Sequence, residues 1–382
     1  MRTKTIVKLG TIVSVLLFAL AVGYYAFMRL DMIDHNRDFN LFSLVPSDCT
    51  GVLESDNVNA FLNEYPNLNY SQELDDFQSS GLFSFLIGEL DKHADDTHGV
   101  NHDMSHLVVS FHEPGTSMDQ VVYFRTGVVD EHLLTDIMKD YMPNNFLPKE
   151  ESYRGKSMLI YPLVHDRFLV AYTEKGFVVL SYQKRLVEEV IDAQLDETAL
   201  SNDDVFSEIL KDKKKHHSLK LYGRSVPMPF LDCDTDCWSE YDFYMNSDVM
   251  YLMGNTYMAE DDEDGIECLS ERLSEVSVVK EENLLISADK DSTAFYMNEA
   301  FDANDAGVRS LFNECVANLS NEAAFSLVVD MKNIDEKPER FQSYLPSFVL
   351  KNAPLFRSFI LSAQLSLSGE RPSHLWVFTY KN

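Results

Sequence analysis

The chain has 382 residues, 45% of them hydrophobic and 12% aromatic, with only 12 prolines and 15 glycines. That composition excludes a disordered or fibrous polypeptide and is enough to bury one large core or two moderate ones. With 62 acids against 32 lysines and arginines the formal net charge is −30; the first 29 residues hold four of the bases and no acid, so −34 falls on the remainder. Such a body repels nucleic acid and anionic lipid surfaces.

Residues 9–28, LGTIVSVLLFALAVGYYAFM, form an uncharged run of twenty. At helical rise this spans a hydrocarbon core of roughly 30 Å. Arg2, Lys4 and Lys8 precede it, which predicts an N-in, single-pass anchor with residues 1–8 as a cytoplasmic tail. A cleaved signal peptide is the competing reading, because Ala19-Leu20-Ala21 has the small-x-small form of a cleavage site. The apolar run continues past it to Met28, longer than the usual signal core of about 7–15 residues. On the anchor reading the lipid bilayer is a partner through residues 9–28, and residues 30–382 lie outside the cytoplasm.

Residues 29–43 read as a linker. The folded body is expected in two parts, a first module over 44–225 and a second, β-rich module over 226–382. Thr50 to Glu54 suits a short strand, NVNAFLNEY and SGLFSFLIGELDKH suit helices, and SHLVVSFHE and DQVVYFRTG suit strands joined by the turn residues PGTSMD. RFLVAY and FVVLSY form a hairpin across 173–176. The helix QKRLVEEVIDAQL follows, with Leu186, Val187, Val190, Ile191 and Leu195 on one face. DDVFSEILKD is a second helix with Val205, Phe206, Ile209 and Leu210 inside, and SLKLYG is a strand. Beyond residue 225 strands are expected in SEYDFYMNS, DVMYLMGNTYM, NLLISAD and TAFYMNE, and a helix near GVRSLFNECVANL. The end repeats the opening in outline: AAFSLVVDM, helical KPERFQSYLPSFVLK, then strands FILSAQLSLSG and SHLWVFTYK. The pattern predicts an α+β fold of antiparallel sheets with helices packed on one face, built as a duplicated strand-helix-strand-strand module.

The anchor followed by VPSDCTGVLESDN, the hairpin-helix AYTEKGFVVLSYQKRLVEEVI, the segment LSNDDVFSEILKDKKKHHSLKLYG, and Trp238-x3-Asp242 leading to Leu252-x-Gly254 together set a pattern. In these elements the chain resembles an uncharacterised bacterial family of membrane-anchored envelope proteins. The resemblance implies an inner-membrane protein with its ectodomain in the periplasm. It implies no functional residues.

Two segments have the residue types of a metal site. In HADDTHGVNHDMSH, His98, His102 and His106 recur every four residues and Asp103 stands among them, the spacing that would aim imidazoles from one helix face at a zinc ion. Gly99 and Asn101 weaken that helix, and the plain reading is a polar loop. In EDDEDGIECLSE, Glu260, Asp262, Asp264 and Glu271 stand at positions one, three, five and twelve of a calcium loop, with Gly265 at position six. Glu260 is long for position one and Glu267 is polar where an apolar residue normally pairs two loops, so a solvated hairpin loop is the plain reading there. No cofactor is expected unless calcium or zinc occupies one of these sets.

Of the five cysteines, only Cys233 and Cys237 are close in sequence, and a local disulfide or two inert thiols is expected of them. The nucleophile elbow, the phosphate loop, the dinucleotide turn and the metalloprotease helix are all missing. The sequence therefore points to a non-catalytic binding or scaffolding module with an envelope protein as partner. The alternative is a metal-dependent ectodomain, including a hydrolase acting on envelope glycans.

Overall fold

The computed structural model describes residues 39–56, 64–73, 106–116, 118–125, 147–163, 167–174, 176–212, 219–259, 262–305, 310–369 and 371–381. The proposed anchor at 9–28, the helix expected at 80–93 and residues 57–63 of the helix expected at 57–65 lie outside them. Among the described residues no helix is long and apolar enough to cross a membrane.

The strands are β1 (Gly51–Ser55), β2 (Leu107–Phe111), β3 (Gln120–Arg125), β4 (Lys149–Tyr153), β5 (Lys156–Pro162), β6 (Phe168–Glu174), β7 (Phe177–Ser181) and β8 (Lys220–Gly223) in the first half. The second half supplies β9 (Cys237–Met245), β10 (Val249–Met258), β11 (Val279–Glu281), β12 (Leu284–Ser287), β13 (Phe325–Asp330), β14 (Phe359–Ser366) and β15 (Ser373–Tyr380). They join one sheet in the order β11-β12-β13-β14-β15-β10-β9-β8-β1-β2-β3-β7-β6-β5-β4. Every pairing is antiparallel, including those of β8 with β1 and with β9, which carry the sheet from one half of the chain into the other. The chain thus forms a mixed α and β fold on a single large antiparallel sheet, where several sheets were expected.

Residues paired across strands share a face, so the register sorts the core. Val52, Val108, Tyr222, Trp238 and Tyr257 point to one face, where Leu186, Val187, Val190 and Ile191 of α1 (Lys184–Asp196) and Val205, Phe206 and Ile209 of α2 (Asp204–Asp212) cover them. Leu41, Phe42, Leu44 and Val45 join this core, so burial begins within the stretch read as a linker. On the opposite face Leu107, Val109, Val122 and Phe124 form a smaller cluster.

Along β13 the alternation continues, but the larger core lies on the other side. Phe325, Leu327 and Val329 pack with Leu269 and Leu273 of α3 (Asp262–Ser274) and with Met331 and Ile334 of α6 (Met331–Glu336). Val328 instead meets Phe312 and Val316 of α5 (Leu311–Ala317) and Ala300 of α4 (Lys290–Asp305). Helices therefore cover both faces, and the one-faced packing expected from sequence is corrected: a sheet this wide exposes two apolar faces, and each needs cover.

Three local readings also change. TAFYMNE is not a strand but the middle of α4: the Asp289 carboxylate accepts the backbone N–H of Ser292 at 2.8 Å and caps a new helix. The stretch expected as an acidic hairpin loop is helix from Asp262 onward, with Leu269 and Leu273 buried one turn apart. Leu195, expected inside, is 41% exposed in the last turn of α1.

At Gly254 of β10 an added Cβ would stand 2.0 Å from the Glu240 carbonyl of β9, so only glycine fits. His374 of β15 is paired with Gly254, and its Nε2–H crosses that gap to donate to the same carbonyl at 3.0 Å.

In place of the local disulfide or the two inert thiols expected at Cys233 and Cys237, Cys233 pairs with Cys268, which ties the segment before β9 to α3 over 35 residues. Cys237 is left as a buried thiol because it begins β9 and packs in the core. Closing a loop of that length restricts the unfolded chain. Replacing both cysteines by serine is expected to lower the unfolding free energy by about 3–4 kcal/mol, read from urea denaturation with and without reductant.

Candidate functional site

Near the middle of the sheet, charged residues take positions that alternation assigns to the interior. Glu54 follows Val52 on the inward face of β1 and is only 2% exposed. It is paired with Lys220 of β8, which is paired in turn with Asp242 of β9, so three ionisable side chains lie in one row across three strands. The Lys220 ammonium reaches Glu240 at 3.0 Å and Asp242 at 3.2 Å. Burial draws the Lys220 pKa down, but the two carboxylates outweigh it and hold the group above its ordinary value. The Tyr222 hydroxyl donates to Glu54 Oε2 at 2.9 Å and the Tyr257 hydroxyl to Glu240 at 3.2 Å. Burial and then Glu54 raise Tyr222 well above the usual phenol range, so both hydroxyls serve as donors at neutral pH.

His106, the residue before β2, stands two positions from Val108, the β2 partner of Glu54, and reaches the end of the row. Its Nδ1 lies 2.6 Å from Asp56 Oδ1, and its Nε2 lies 3.5 Å from Glu54 Oε1. One ligand atom from each of Glu54, Asp56 and His106 falls within 4.8 Å of the other two. The imidazole is nearly buried, whereas the Asp56 side chain is 38% exposed and marks the solvent side.

Of the residues singled out from sequence, only His106 is placed in this group. His98, His102, Asp103 and Glu260 lie outside the described residues. Asp262 and Asp264 belong to the first turn of α3, and Glu271 is an exposed residue in its last turns. Sequence reasoning missed Glu54 and Asp56. The available signal was Glu54 itself, an acid at an inward position of an otherwise apolar strand.

A second polar group sits by the β2–β3 hairpin. Ser110 Oγ is 2.8 Å from His112 Nε2 and 3.0 Å from the Tyr123 hydroxyl. A serine–histidine contact is the start of a nucleophilic pair, but Ser110 is fully buried and burial lowers the His112 pKa to about 4. Burial likewise holds His374 at about 4. Among the thiols, burial pushes Cys49 up to about 12 and Cys237 to about 11. These groups stay neutral near pH 7, and a protonated thiol is not a nucleophile.

Comparison with known proteins adds little. No family model and no curated protein matches the chain. A solved structure titled "Structure of crystal form IV of TP0453" is similar over 90% of this chain and 95% of its own, at 7% identity and a TM-score of 0.33.

Two outcomes follow. Lys220→Met, which strands Glu240 and Asp242 without their shared cation, is expected to cost about 3 kcal/mol in chemical denaturation. His112 and His374 are held below their ordinary value of 6.5, so between pH 6.5 and about 4 the unfolded chain takes up protons that the folded chain refuses. Stability is therefore lost as pH falls through that window, by about 1.4 kcal/mol per pH unit for each histidine at most. His112→Gln is expected to flatten the decline relative to the parent chain in denaturation series at each pH.

Proposed function

We propose that the chain is a non-catalytic binding or scaffolding protein of the bacterial cell envelope. On this reading residues 9–28 hold it in the inner membrane with the N-terminus inside, and the acidic body works in the periplasm on a protein partner. The sequence supports the placement through the apolar run and its flanking bases. The observation that carries the non-catalytic reading is that Cys49, Cys237, Ser110, His112 and His374 are buried and locked into packing or hydrogen bonds, with the titrating ones shifted away from reactivity at neutral pH.

We also read the fold as a duplicated module. The meander β1-β2-β3 in one half and β13-β14-β15 in the other have the same antiparallel order. In each, intervening chain separates the first strand from the second. The alternative of a metal-dependent ectodomain draws on Glu54, Asp56 and His106.

Fractionation and affinity capture test the proposal together. The full chain is expected to sediment with membranes through a carbonate wash, to be released when residues 1–28 are removed, and to retrieve one reproducible protein after crosslinking in intact cells. Recovery of the intact chain from the soluble cytosol overturns the placement. A chain that stays alone after crosslinking at native abundance overturns the binding role.

A further inference from the structure

We propose that Glu54 and His106 bind a divalent zinc-class cation, with Asp56 as the residue that orients the imidazole. This inference concerns the folded body and does not depend on the membrane placement.

Three features of the geometry carry it. First, the Nδ1 contact to Asp56 at 2.6 Å fixes the ring's orientation: a carboxylate accepts, so Nδ1 donates to it and the other ring nitrogen, Nε2, is turned toward Glu54. A carboxylate behind a histidine is the usual arrangement around protein-bound zinc, where it sets the ring's orientation and raises its basicity. Second, Nε2 stands 3.5 Å from Glu54 Oε1. An imidazolium sandwiched between two carboxylates would close that distance to about 2.7–2.9 Å, as charge-assisted hydrogen bonds do. Two ligands of one tetrahedral zinc, each about 2.0–2.1 Å from the metal, stand about 3.4 Å apart. The observed gap fits the pair of ligands and is long for the ion pair. Third, the other Glu54 oxygen is held by the Tyr222 hydroxyl at 2.9 Å, which aims Oε1 at the ring.

The strand register produces this arrangement. Glu54 lies on the inward face of β1 and Asp56 is the residue just after that strand, while His106 just precedes β2, one step beyond the last β1–β2 pair, Ser55 with Leu107. Glu54 and His106 supply two of the ligands, and the coordination sphere is reached from the side where Asp56 meets solvent. The site would link the end of β1 to the start of β2.

Zinc and cobalt(II) titrations of the full chain test the proposal, read by calorimetry, by the visible bands of cobalt and by the melting midpoint. The expected result is one saturable equivalent and a midpoint raised by about 2 °C or more at excess zinc, with no response to magnesium. Asp56→Asn is expected to weaken binding about tenfold. Glu54→Gln and His106→Gln weaken it further, while a chain carrying His98→Gln and His102→Gln binds as the parent does. Circular dichroism establishes that each variant is folded; should the two buried substitutions unfold the chain, Asp56→Asn decides. Absence of saturable uptake, binding that survives His106→Gln, or an unchanged affinity in Asp56→Asn overturns the assignment.

Discussion

The ladder β10-β9-β8-β1 is the constraint on which the rest of the structure depends. Through it two stretches of chain that could each have closed a sheet of their own share one, and every strand beyond it takes its face and register from that seam. The seam is also where the packing changes sides. The larger core of the first half lies against α1 and α2, that of the second half against α3 and α6 on the opposite face, and β9 contributes to both, with Trp238 on one side and Cys237 on the other. The crowding at Gly254, with His374 reaching over it to Glu240, is the local cost of bringing three strands together there.

Burial of charge follows the same seam. Glu54, Lys220, Glu240 and Asp242 come from three strands, and none would be tolerated inside alone. Neighbours on the sheet satisfy them in pairs: carboxylates on an ammonium, phenol hydroxyls on carboxylates. Such a row is costly to desolvate, so its worth is in fixing which strand sits beside which. A slip of one residue would turn every member of the row to the opposite face.

What could be read from sequence was local. β2 and β3, and β6 and β7, alternate or run apolar around obvious turn residues, and α1 and α2 keep an apolar stripe, so each was legible. The β4–β5 hairpin escaped because KEESY is a charged edge strand with no apolar face to announce it. α4 was misread because TAFYMNE has strand-like aromatic residues, while the capping carboxylate of Asp289 that decides the matter lies before them. The Cys233–Cys268 pairing and the meeting of Glu54 and Asp56 with His106 join residues 35 to 52 positions apart. No short-range pattern encodes such contacts; the pairing register does.

The two borders of the sheet have their own consequence. Among the described residues β4 and β11 end the sheet; β4 carries Lys149, Glu150 and Glu151, and β11 carries Lys280 and Glu281, so both rims present charge where another chain would have to dock its backbone. With thirteen strands between them at about 4.8 Å spacing, these rims stand roughly 65 Å apart measured along the sheet, across the strands. Among the described residues each strand is bonded to the next along the whole width. Charge at both rims makes each a poor template for a strand of another copy, so the sheet is guarded against growth at its ends.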